Sequence, residues 1–312
     1  MMVSIKRGFF YLFNNQSQFA DSIVKNFLRW LPDKWYLALR YRFQMGYFIN
    51  FKSPRTFTEK LQWLKLYDRN PAYSIMVDKY AVKQYVKSRI GDQYIIPTIG
   101  LWNTVEEINW DLLPDQFVIK TTHGGGGGGV IICTDKKTFD KDKAIDKLNG
   151  SLIADIYAEL REWPYKNVPK RIIAEKFMSS SIRTEPCGLT DYKFYCFNGE
   201  PKYCQVIRDR HTCETIDFYD MDWQHQEFVG LNPQVENGKI PVPCPLKLES
   251  MINICRKLSE GIPFLRVDLY VIDDEIYFGE LTFYPASGIG QFKPIKWQNI
   301  LGDLIELPVK KK

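Results

Sequence analysis

The chain has 312 residues and 45% hydrophobic composition, which is enough to bury a sizeable core in two or three lobes. No apolar run approaches the roughly 18 to 20 residues that cross a bilayer, and the apolar stretch at 9–13 is too short for a signal peptide, so we expect a cytoplasmic protein. The net charge of +5 is modest, and the seven cysteines lack CxxC spacing, which argues against a zinc site or a disulfide framework.

Residues 1–75 are predicted to form a basic, aromatic, helical N-terminal region. Up to Arg69, twelve Lys or Arg residues stand against four acids, a charge of +8 that leaves −3 for the rest of the chain. Phe57–Tyr67 has the helical period, with Thr58 in a capping position before Glu59. Interleaved aromatic residues are typical of a surface that meets an acidic glycan, anionic lipid or nucleic acid. The alternative is a solvated helical face with its aromatic residues in the core.

Residues 76–170 are predicted to form a central lobe. Its first element is one long helix over 76–86, which stacks Lys79 and Lys83 one turn apart. A short strand at 95–100 and an amphipathic helix over 142–162 are predicted on either side of the most unusual part of the chain.

That unusual part is a run of six glycines between two β-rich segments. Phe117–Thr121 and Val130–Cys133 are predicted to form a hairpin, joined by His123 and the glycines at 124–129. Backbone without Cβ atoms lets successive N–H groups close onto a polyanion such as a triphosphate. The Walker loop and the dinucleotide fingerprint both require a following helix, and a strand follows here. A glycine flap over phosphates is therefore favoured over a floppy linker tip.

The last part of the chain, residues 171–312, is predicted to alternate strands with one helix. A strand over 171–178 comes first, followed by a hairpin whose arms meet at the Asn198-Gly199 turn. A helix over 246–258 precedes two further strands, over 265–272 and 276–281.

Charged residues interrupt those two last strands. Period-two alternation places Arg266 and Asp268 on one face of the first strand, and Glu280 and Thr282 on one face of the second. Paired across a hairpin, the two carboxylates have the oxygen chemistry that binds one or two hard cations. Burying such charges without a role is costly. A surface salt bridge made by the arginine is the alternative.

In their order along the chain, these motifs resemble the ATP-grasp superfamily, and more narrowly its TupA-like branch, found in bacterial capsule and teichuronopeptide gene clusters. The resemblance runs from about Tyr41 to Phe283. The segments most particular to the branch are Lys-Leu-Gln-Trp-Leu-Lys at 60–65, Asp-Lys-Tyr-Ala-Val-Lys at 78–83, Tyr-Lys-Phe at 192–194 and Phe-Asn-Gly-Glu at 197–200. It implies an α+β ATP-grasp fold that holds the nucleotide between two α+β lobes: residues 76–170 with the flap, and residues 171–312 with a metal site.

The resemblance also implies site residues. The implied cofactor-binding positions are Lys79, Lys83, Lys120, Gly124, Gly125, Gly126, Gly127, Gly128, Gly129, Glu175, Lys176, Phe177, Met178 and Lys193. Arg266, Lys120 and Lys193 match catalytic positions, and Asp268 and Glu280 match magnesium ligands. The chain departs from the pattern at Thr282, where many members carry Asn, and a hydroxyl is a poorer magnesium ligand than an amide carbonyl.

The implied activity is that of an ATP-dependent carboxylate-amine ligase, with ATP and Mg²⁺ as cofactors. We expect a uronic acid of a capsular or cell-surface glycan precursor as acceptor, an amino acid or small amine as nucleophile, peripheral contact with the inner face of the membrane, and no nucleic acid. Arg208, Arg210 and His211 are candidates for holding the anionic acceptor, or equally form a solvated basic loop. The alternatives are a metal-dependent glycosyltransferase that uses Asp220-Met221-Asp222, and a non-catalytic ATP-binding regulator.

Overall fold

Two antiparallel sheets carry most of the residues singled out above. The computed structural model describes residues 20–125, 128–179, 190–208, 214–231 and 235–309. The strands are β1 (Thr98–Trp102), β2 (Phe117–Thr121), β3 (Val130–Cys133), β4 (Ile172–Lys176), β5 (Asp191–Phe197), β6 (Glu200–Arg208), β7 (Thr215–Asp220), β8 (His225–Gln226), β9 (Val229–Gly230), β10 (Phe264–Ile272), β11 (Glu275–Thr282) and β12 (Phe292–Lys293). The small sheet has the order β1-β4-β2-β3 and the large sheet the order β11-β10-β5-β6-β7-β8, while β9 and β12 pair separately.

Nine α-helices surround these sheets in the described part of the chain. They are α1 (20–27), α2 (Asp33–Met45), α3 (Phe57–Tyr67), α4 (Ala72–Val77), α5 (Val82–Ile90), α6 (Lys141–Ile153), α7 (Ile156–Leu160), α8 (Leu248–Ser259) and α9 (Lys296–Asp303). None of these helices is both long and apolar enough to span a membrane. The arrangement confirms the predicted α+β class.

The small sheet places one face on a core and leaves the other for polar side chains. Phe117 and Ile119 of β2 are buried in a cluster with Leu148 of α6. Because side chains alternate along a strand, Lys120 lies on the opposite face. The β2–β3 hairpin predicted around the glycine run is confirmed, with Lys120 paired to Val130.

The large sheet is covered differently on its two faces. Phe194 of β5 and Val267 of β10 belong to the main core with Met251 and Cys255 of α8. Alternation therefore puts Lys193 and Asp268, which are direct partners across β5 and β10, on the other face. The large sheet thus presents a polar strip on the face away from α8.

Helix α3 belongs to this packing and does not stand apart. Its N-cap is Thr56, whose hydroxyl accepts from Glu59 N at 3.2 Å while the Glu59 carboxylate accepts from Thr56 N at 3.1 Å. The prediction of Thr58 as the cap was wrong, because this capping box starts the helix at Phe57, two residues earlier than a cap at Thr58 would allow. Phe57 then packs edge-on against Phe264 with ring centroids 5.0 Å apart.

Two helices predicted as continuous are broken. The 76–86 helix is interrupted because the Asp78 carboxylate accepts from Tyr80 N at 2.9 Å and Ala81 N at 3.2 Å, an alternative to helical bonding. The predicted stacking of Lys79 on Lys83 was therefore wrong. The 142–162 helix is likewise divided, since Asp155 caps a new helix by accepting from Ala158 N at 2.8 Å.

Candidate active site

Two lysines grip one carboxylate on the polar face of the small sheet. Glu175 of β4 receives Lys83 from α5 at 2.5 Å and Lys120 from β2 at 2.5 Å, one on each carboxylate oxygen. The Lys83 ammonium also donates to Ile96 O at 2.7 Å and to the Thr98 hydroxyl at 2.8 Å. We call Lys83, Lys120 and Glu175 the lysine cluster.

Burial and charge act against each other in the lysine cluster. Burial raises the pKa of Glu175, but the charges of Lys120 and Lys83 outweigh it, so that the pKa lies below its usual value. Burial lowers the pKa of Lys83, and the Glu175 carboxylate opposes that shift. The cluster keeps two cations on one anion and so carries excess positive charge.

Lys79 adds a third ammonium at the base of the glycine run. The turn after Asp78 directs its backbone N–H to Thr122 O at 2.9 Å, and its side chain donates to Gly124 O. Burial lowers the pKa of Lys79, while Glu280 raises it and Lys120 lowers it further. Charges of the lysine cluster and of strand β11 thus both act on Lys79.

The described ends of the glycine run are closely packed. A Cβ at Gly129 would lie 2.4 Å from the Ser151 hydroxyl oxygen, and a Cβ at Gly124 would lie 2.8 Å from that of Thr121. Gly125 and Gly128 have room, and Gly126 and Gly127 lie outside the described residues. The flap is therefore fixed to α6 at its base by close packing.

Next to the run, His123 is buried and its Nε2 donates to Ser151 O at 3.1 Å. Burial lowers the pKa of this imidazole, and the nearby Lys170 charge adds to the effect. His123 is therefore held neutral against α6 rather than adding a cation to the site.

On the polar face of the large sheet, Arg266 binds two carboxylates. Its guanidinium makes two 2.7 Å hydrogen bonds to Asp268 and one of 3.0 Å to Glu280. The Thr282 hydroxyl accepts from the same guanidinium at 3.1 Å and donates to Glu280 at 3.4 Å. Burial works against ionisation of the 1% exposed Asp268, but Arg266 and Lys193 lower its pKa overall. We call Arg266, Asp268, Glu280 and Lys193 the carboxylate cluster.

A bulge in β11 creates this arrangement. Leu269 pairs with Phe278 but Asp268 pairs with Glu280, which leaves Gly279 as the extra residue. A Cβ at Gly279 would lie 3.0 Å from Asp268 O, so only glycine fits there. The predicted pairing of Asp268 with Glu280 is confirmed.

Lys193, which the resemblance implied as a cofactor-binding and catalytic residue, lies within the carboxylate cluster. Its ammonium donates to Asp268 and lies 3.4 Å from the Asp191 carboxylate. The side chain is only 8% exposed. The Lys193 ammonium is therefore engaged by Asp268, and it could contact a substrate only while also keeping this ion pair.

The oxygen donors of the carboxylate cluster fit a magnesium ion that arrives with a nucleotide. In the described part of the chain, no group of three or more His, Cys, Asp or Glu side chains is arranged to bind a metal. Asp268 and Glu280 are two such groups, and Thr282 adds a hydroxyl. Magnesium is commonly held by one or two carboxylates, with phosphates and water completing its six ligands. Glu280, whose side chain is 44% exposed, is the accessible member of the pair.

Strand β4 is shorter than the strand predicted over 171–178. Strand β4 ends at Lys176, which is exposed, and Phe177 and Met178 lie beyond the strand, half-buried. Of the implied cofactor-binding residues at 175–178, Glu175 is the one that contacts Lys83 and Lys120.

The acceptor candidates and the glycosyltransferase motif lie elsewhere. Arg208 donates to Asp217 at 3.1 Å and to Ile240 O at 2.8 Å, and alternation along β6 places it on the face away from Lys193. Arg210 and His211 lie outside the described residues. Asp220 accepts from Asp222 N at 3.1 Å and Gln224 N at 2.8 Å, so it closes the β7–β8 turn. A role in this turn accounts for the Asp-Met-Asp sequence without a metal.

Two residues near the site were missed from the sequence. Arg171 pairs with Asp78 at 2.8 Å and its guanidinium carbon lies 5.1 Å from the Tyr80 ring centroid, so it fixes the turn that carries Lys79. Burial raises the pKa of Tyr165, and the charges of Glu162 and Glu280 add to this. Neither residue belongs to a recognisable sequence motif. Their interactions with Asp78 and with Glu162 and Glu280 arise only in the tertiary structure.

Comparison with known proteins identifies one family. A family model described as TupA-like ATPgrasp matches residues 59–306. No curated protein matches the chain. Among solved structures, D-alanine--D-alanine ligase from Bacillus anthracis complexed with ATP is 18% identical, with a TM-score of 0.38, over 68% of this chain and 55% of that chain. The ligase of the same name from Helicobacter pylori is 15% identical, with a TM-score of 0.42, over 80% and 69%.

A third similar structure, ATP-grasp ligase PsnB with minimal precursor, Mg and ADP, is 12% identical, with a TM-score of 0.35, over 86% of this chain and 66% of that chain. The chain spans little more than half the length of the Bacillus anthracis enzyme. These structural similarities are too distant to indicate an activity.

Proposed function

The chain belongs to the TupA-like ATP-grasp family, whose model matches residues 59–306, and from this premise we propose that it is an ATP-dependent carboxylate-amine ligase. The observation that carries the proposal is the opposition of charge across the site. Lys83 and Lys120 carry positive charge at the small sheet, the carboxylate cluster carries acids at the large sheet, and Lys79 feels the charges of both Lys120 and Glu280. Such a site suits a triphosphate whose terminal group is transferred at the end near Glu280.

The proposed reaction begins with activation of a carboxylate. Transfer of the γ-phosphoryl group of ATP to a carboxylate oxygen forms an acyl phosphate and ADP. An amine then attacks the acyl carbon, and inorganic phosphate leaves with the bonding electrons while the amine loses a proton. Amide formation is otherwise blocked because oxide is a poor leaving group.

Lys120 and Lys79 bind and orient the phosphates in this proposal. Both ammonium groups are held by weaker partners than a triphosphate, a shared carboxylate and a backbone carbonyl respectively. Phosphate oxygens offer charge-assisted bonds in their place. When bound, magnesium supplies charge neutralisation between the phosphate oxygens, and Asp268 and Glu280 are the residues that would hold it.

Arg266 stabilises the charge that develops on the acyl group. Asp268 fixes the guanidinium through two hydrogen bonds, so its position is set before a substrate binds. Burial works to lower the pKa of Arg266, but Asp268 and Glu280 outweigh it and raise that pKa overall, which keeps the guanidinium charged. The flap, closed over the phosphates that its backbone N–H groups bind, excludes water that would hydrolyse the acyl phosphate.

For the substrates, we propose a uronic acid of a capsular or cell-surface glycan precursor and an amino acid or small amine. The resemblance to a branch found in capsule and teichuronopeptide gene clusters supports this choice. The test is ADP release by purified protein with Mg²⁺-ATP against a panel of free and nucleotide-linked uronic acids, each with and without amino acids. ADP release that requires both a uronic acid and an amine supports the proposal, and release with neither dependence contradicts it.

We also propose peripheral contact with an anionic membrane surface through the turn between α1 and α2. Phe27, Trp30 and Trp35 lie within nine residues and are 72%, 76% and 65% exposed. The nearby acids are paired with basic residues of the same chain. Asp21 binds Arg40 at 2.7 Å, and Asp33 binds Arg69, Arg161 and Tyr157. Exposed aromatic residues on a basic surface are typical of a membrane interface.

Flotation with vesicles tests this contact. Wild type should bind vesicles containing phosphatidylserine but not pure phosphatidylcholine, and binding should weaken with salt. Replacing Trp30 and Trp35 by Ser should abolish binding while leaving ATP binding unchanged. Equal binding of wild type and variant would contradict the proposal.

A further inference from the structure

A fully buried lysine joins three separate segments below the site. Lys65 of α3 has a 0% exposed side chain, and its ammonium donates to Leu160 O at 2.9 Å, Ser287 O at 2.9 Å and the Ser287 hydroxyl oxygen at 2.8 Å. The Glu162 carboxylate lies 3.9 Å from it and supplies the compensating charge. α3 is thereby tied both to the turn after α7 and to the loop after β11.

The loop after β11 has an unusual backbone. Ala286 has φ 47° and ψ 38°, Ser287 has φ 53° and ψ 28°, and Gly288 has φ 64°. Two successive non-glycine residues in the left-handed region are strained, and such conformations persist only where the surroundings impose them.

The surroundings that impose this backbone come from α3. Gln62, one turn before Lys65 on the same helix face, donates to Ser287 O at 3.0 Å and to Gly288 O at 2.9 Å. A Cβ at Gly288 would lie 2.7 Å from the Gln62 amide nitrogen and 3.0 Å from Leu61 Cβ. Two side chains of one helix therefore hold two successive carbonyls of the loop.

We call the contacts of Lys65 and Gln62 with Glu162 and the loop the junction, and its loop is close in sequence to the carboxylate cluster. The left-handed residues begin four positions after Thr282, which binds Arg266. Tyr165, whose pKa burial raises, is acted on by Glu162 of the junction and by Glu280 and Arg266 of the cluster. Along the chain, the left-handed residues therefore follow closely after the strand end whose Thr282 contacts Arg266.

We propose that Lys65 and Gln62 are positioning residues, which hold the 284–288 loop in its left-handed conformation and so shape the side of the site that receives the carboxylate substrate. The second half of this proposal rests on the proposed ligase function, and the first half does not. Residues of the N-terminal region would then act on catalysis without touching a reacting group.

A direct role of Lys65 in proton transfer fits the geometry less well. Burial lowers the pKa of Lys65 to about 7 and the Glu162 charge opposes the shift. However, its ammonium has three acceptors for its three N–H bonds, so removing a proton would cost one of these bonds. Its arrangement is that of a clamp.

The test variant replaces Lys65 by Met and Glu162 by Gln together, because removing one partner alone leaves an uncompensated buried charge. The matched control is Lys60→Met, on the same helix, whose ammonium donates to Ile305 O at 2.8 Å, away from the loop. Gln62→Leu provides a second, independent perturbation of the clamp. Amide hydrogen exchange, Mg²⁺-ATP affinity by calorimetry, and kcat/KM for the uronic acid identified by ADP release are measured for each protein.

The clamp variants are the Lys65→Met, Glu162→Gln double variant and Gln62→Leu. In both, the rate of amide hydrogen exchange at residues 287–289 should rise about 10-fold or more, while the rate in β11 stays unchanged. Mg²⁺-ATP affinity should stay within about 3-fold, and kcat/KM for the acid should fall roughly 30-fold, through KM as well as kcat. Lys60→Met should change none of these quantities.

Unchanged loop exchange in folded clamp variants would overturn the proposal. Looser loop exchange with unchanged kcat/KM would overturn its second half, the coupling to catalysis. If no uronic acid and amine support ADP release by wild type, the proposed ligase substrates fail, while the exchange measurement still decides whether Lys65 and Gln62 hold the loop.

Discussion

The lysine cluster and the carboxylate cluster both hold charged side chains in place through ion pairs, but their net charges are opposite. In the first, Lys83 and Lys120 share the single carboxylate of Glu175. In the second, Arg266 and Lys193 are outnumbered by acids, because Asp191 joins the two carboxylates of the cluster. Each set is held in place by internal ion pairs before any ligand binds.

The difference shows how a site for a metal-nucleotide complex is prepared. Excess positive charge on the small sheet suits phosphates, and excess negative charge on the large sheet suits a cation. Within each cluster the minority charge is a placeholder that orients its neighbours. Substitutions in the two clusters should therefore differ in their effects on Mg²⁺ dependence and on ATP binding.

The largest effects are expected from removing one charge on each side. Lys120→Met and Glu280→Gln should each lower turnover by roughly 10²-fold or more, because each group acts on charge that develops in the transition state. Steady-state ADP release measures this. The matched control is Lys136→Met, a lysine that donates to Leu113 O at 2.6 Å away from the site and should leave turnover unchanged.

The same ADP-release assay distinguishes the proposed ligase from a metal-dependent glycosyltransferase. Asp220→Ala and Asp222→Ala should retain turnover, since Asp220 serves the β7–β8 turn. If these two variants were inactive while Lys120→Met and Glu280→Gln stayed active, a glycosyltransferase would explain the protein better.

Magnesium dependence should distinguish the two sides. Glu280→Gln should raise the Mg²⁺ concentration for half-maximal ADP release by roughly 10-fold, because it weakens an oxygen ligand. Lys120→Met should leave that concentration nearly unchanged while raising the KM for ATP. Equal shifts in both variants would show that the clusters do not divide metal and phosphate between them.

Ligand stabilisation should depend mainly on the lysine cluster. Mg²⁺-ATP at 100 times its Kd should stabilise the fold by about 2.7 kcal/mol, and should protect the chain between Gly124 and Gly129 from proteolysis. At that same ATP concentration, Lys120→Met should lose most of this stabilisation. Thermal unfolding measures it, and a response to nucleotide sugar without ATP would count against the ligase.

The smallest effect concerns pH. The folded-state pKa of Glu175 lies below its usual value of 4.5, so its ion pairs stabilise the fold above that value and are lost as pH falls through the folded pKa. Glu175→Gln should therefore be less stable than wild type near neutral pH, with the difference shrinking as pH falls below 4.5. Urea unfolding at several pH values measures this difference, and a constant difference would contradict the sign.

Much of the fold and site could be predicted because local sequence pattern controls them. The glycine hairpin, the β5–β6 hairpin and the pairing of Asp268 with Glu280 follow from alternation and turn residues, and all three are confirmed. The reason for the last pairing was incomplete, however. A regular two-residue turn at Asp273-Asp274 would set Glu280 opposite Val267 and point it at the core, so the bulge at Gly279 is required.

The helix through Lys79 shows the opposite case. Apolar spacing over 76–86 suits a helix, and nothing local reveals that Asp78 will cap a turn and bind Arg171, 93 positions away. The break matters, because it turns Lys79 toward the flap while Lys83 faces Glu175.

By itself, the sequence determined which side chains carry charge, which strands form hairpins and which family the chain resembles, since periodicity and turn chemistry act over a few residues. Only the tertiary structure decided what those charges meet. Glu175 lies between two lysines from different elements, and Lys65 holds a loop 222 positions away. Such contacts depend on how whole elements pack, and the free energy of burying a charge is balanced only by the partner that packing brings to it.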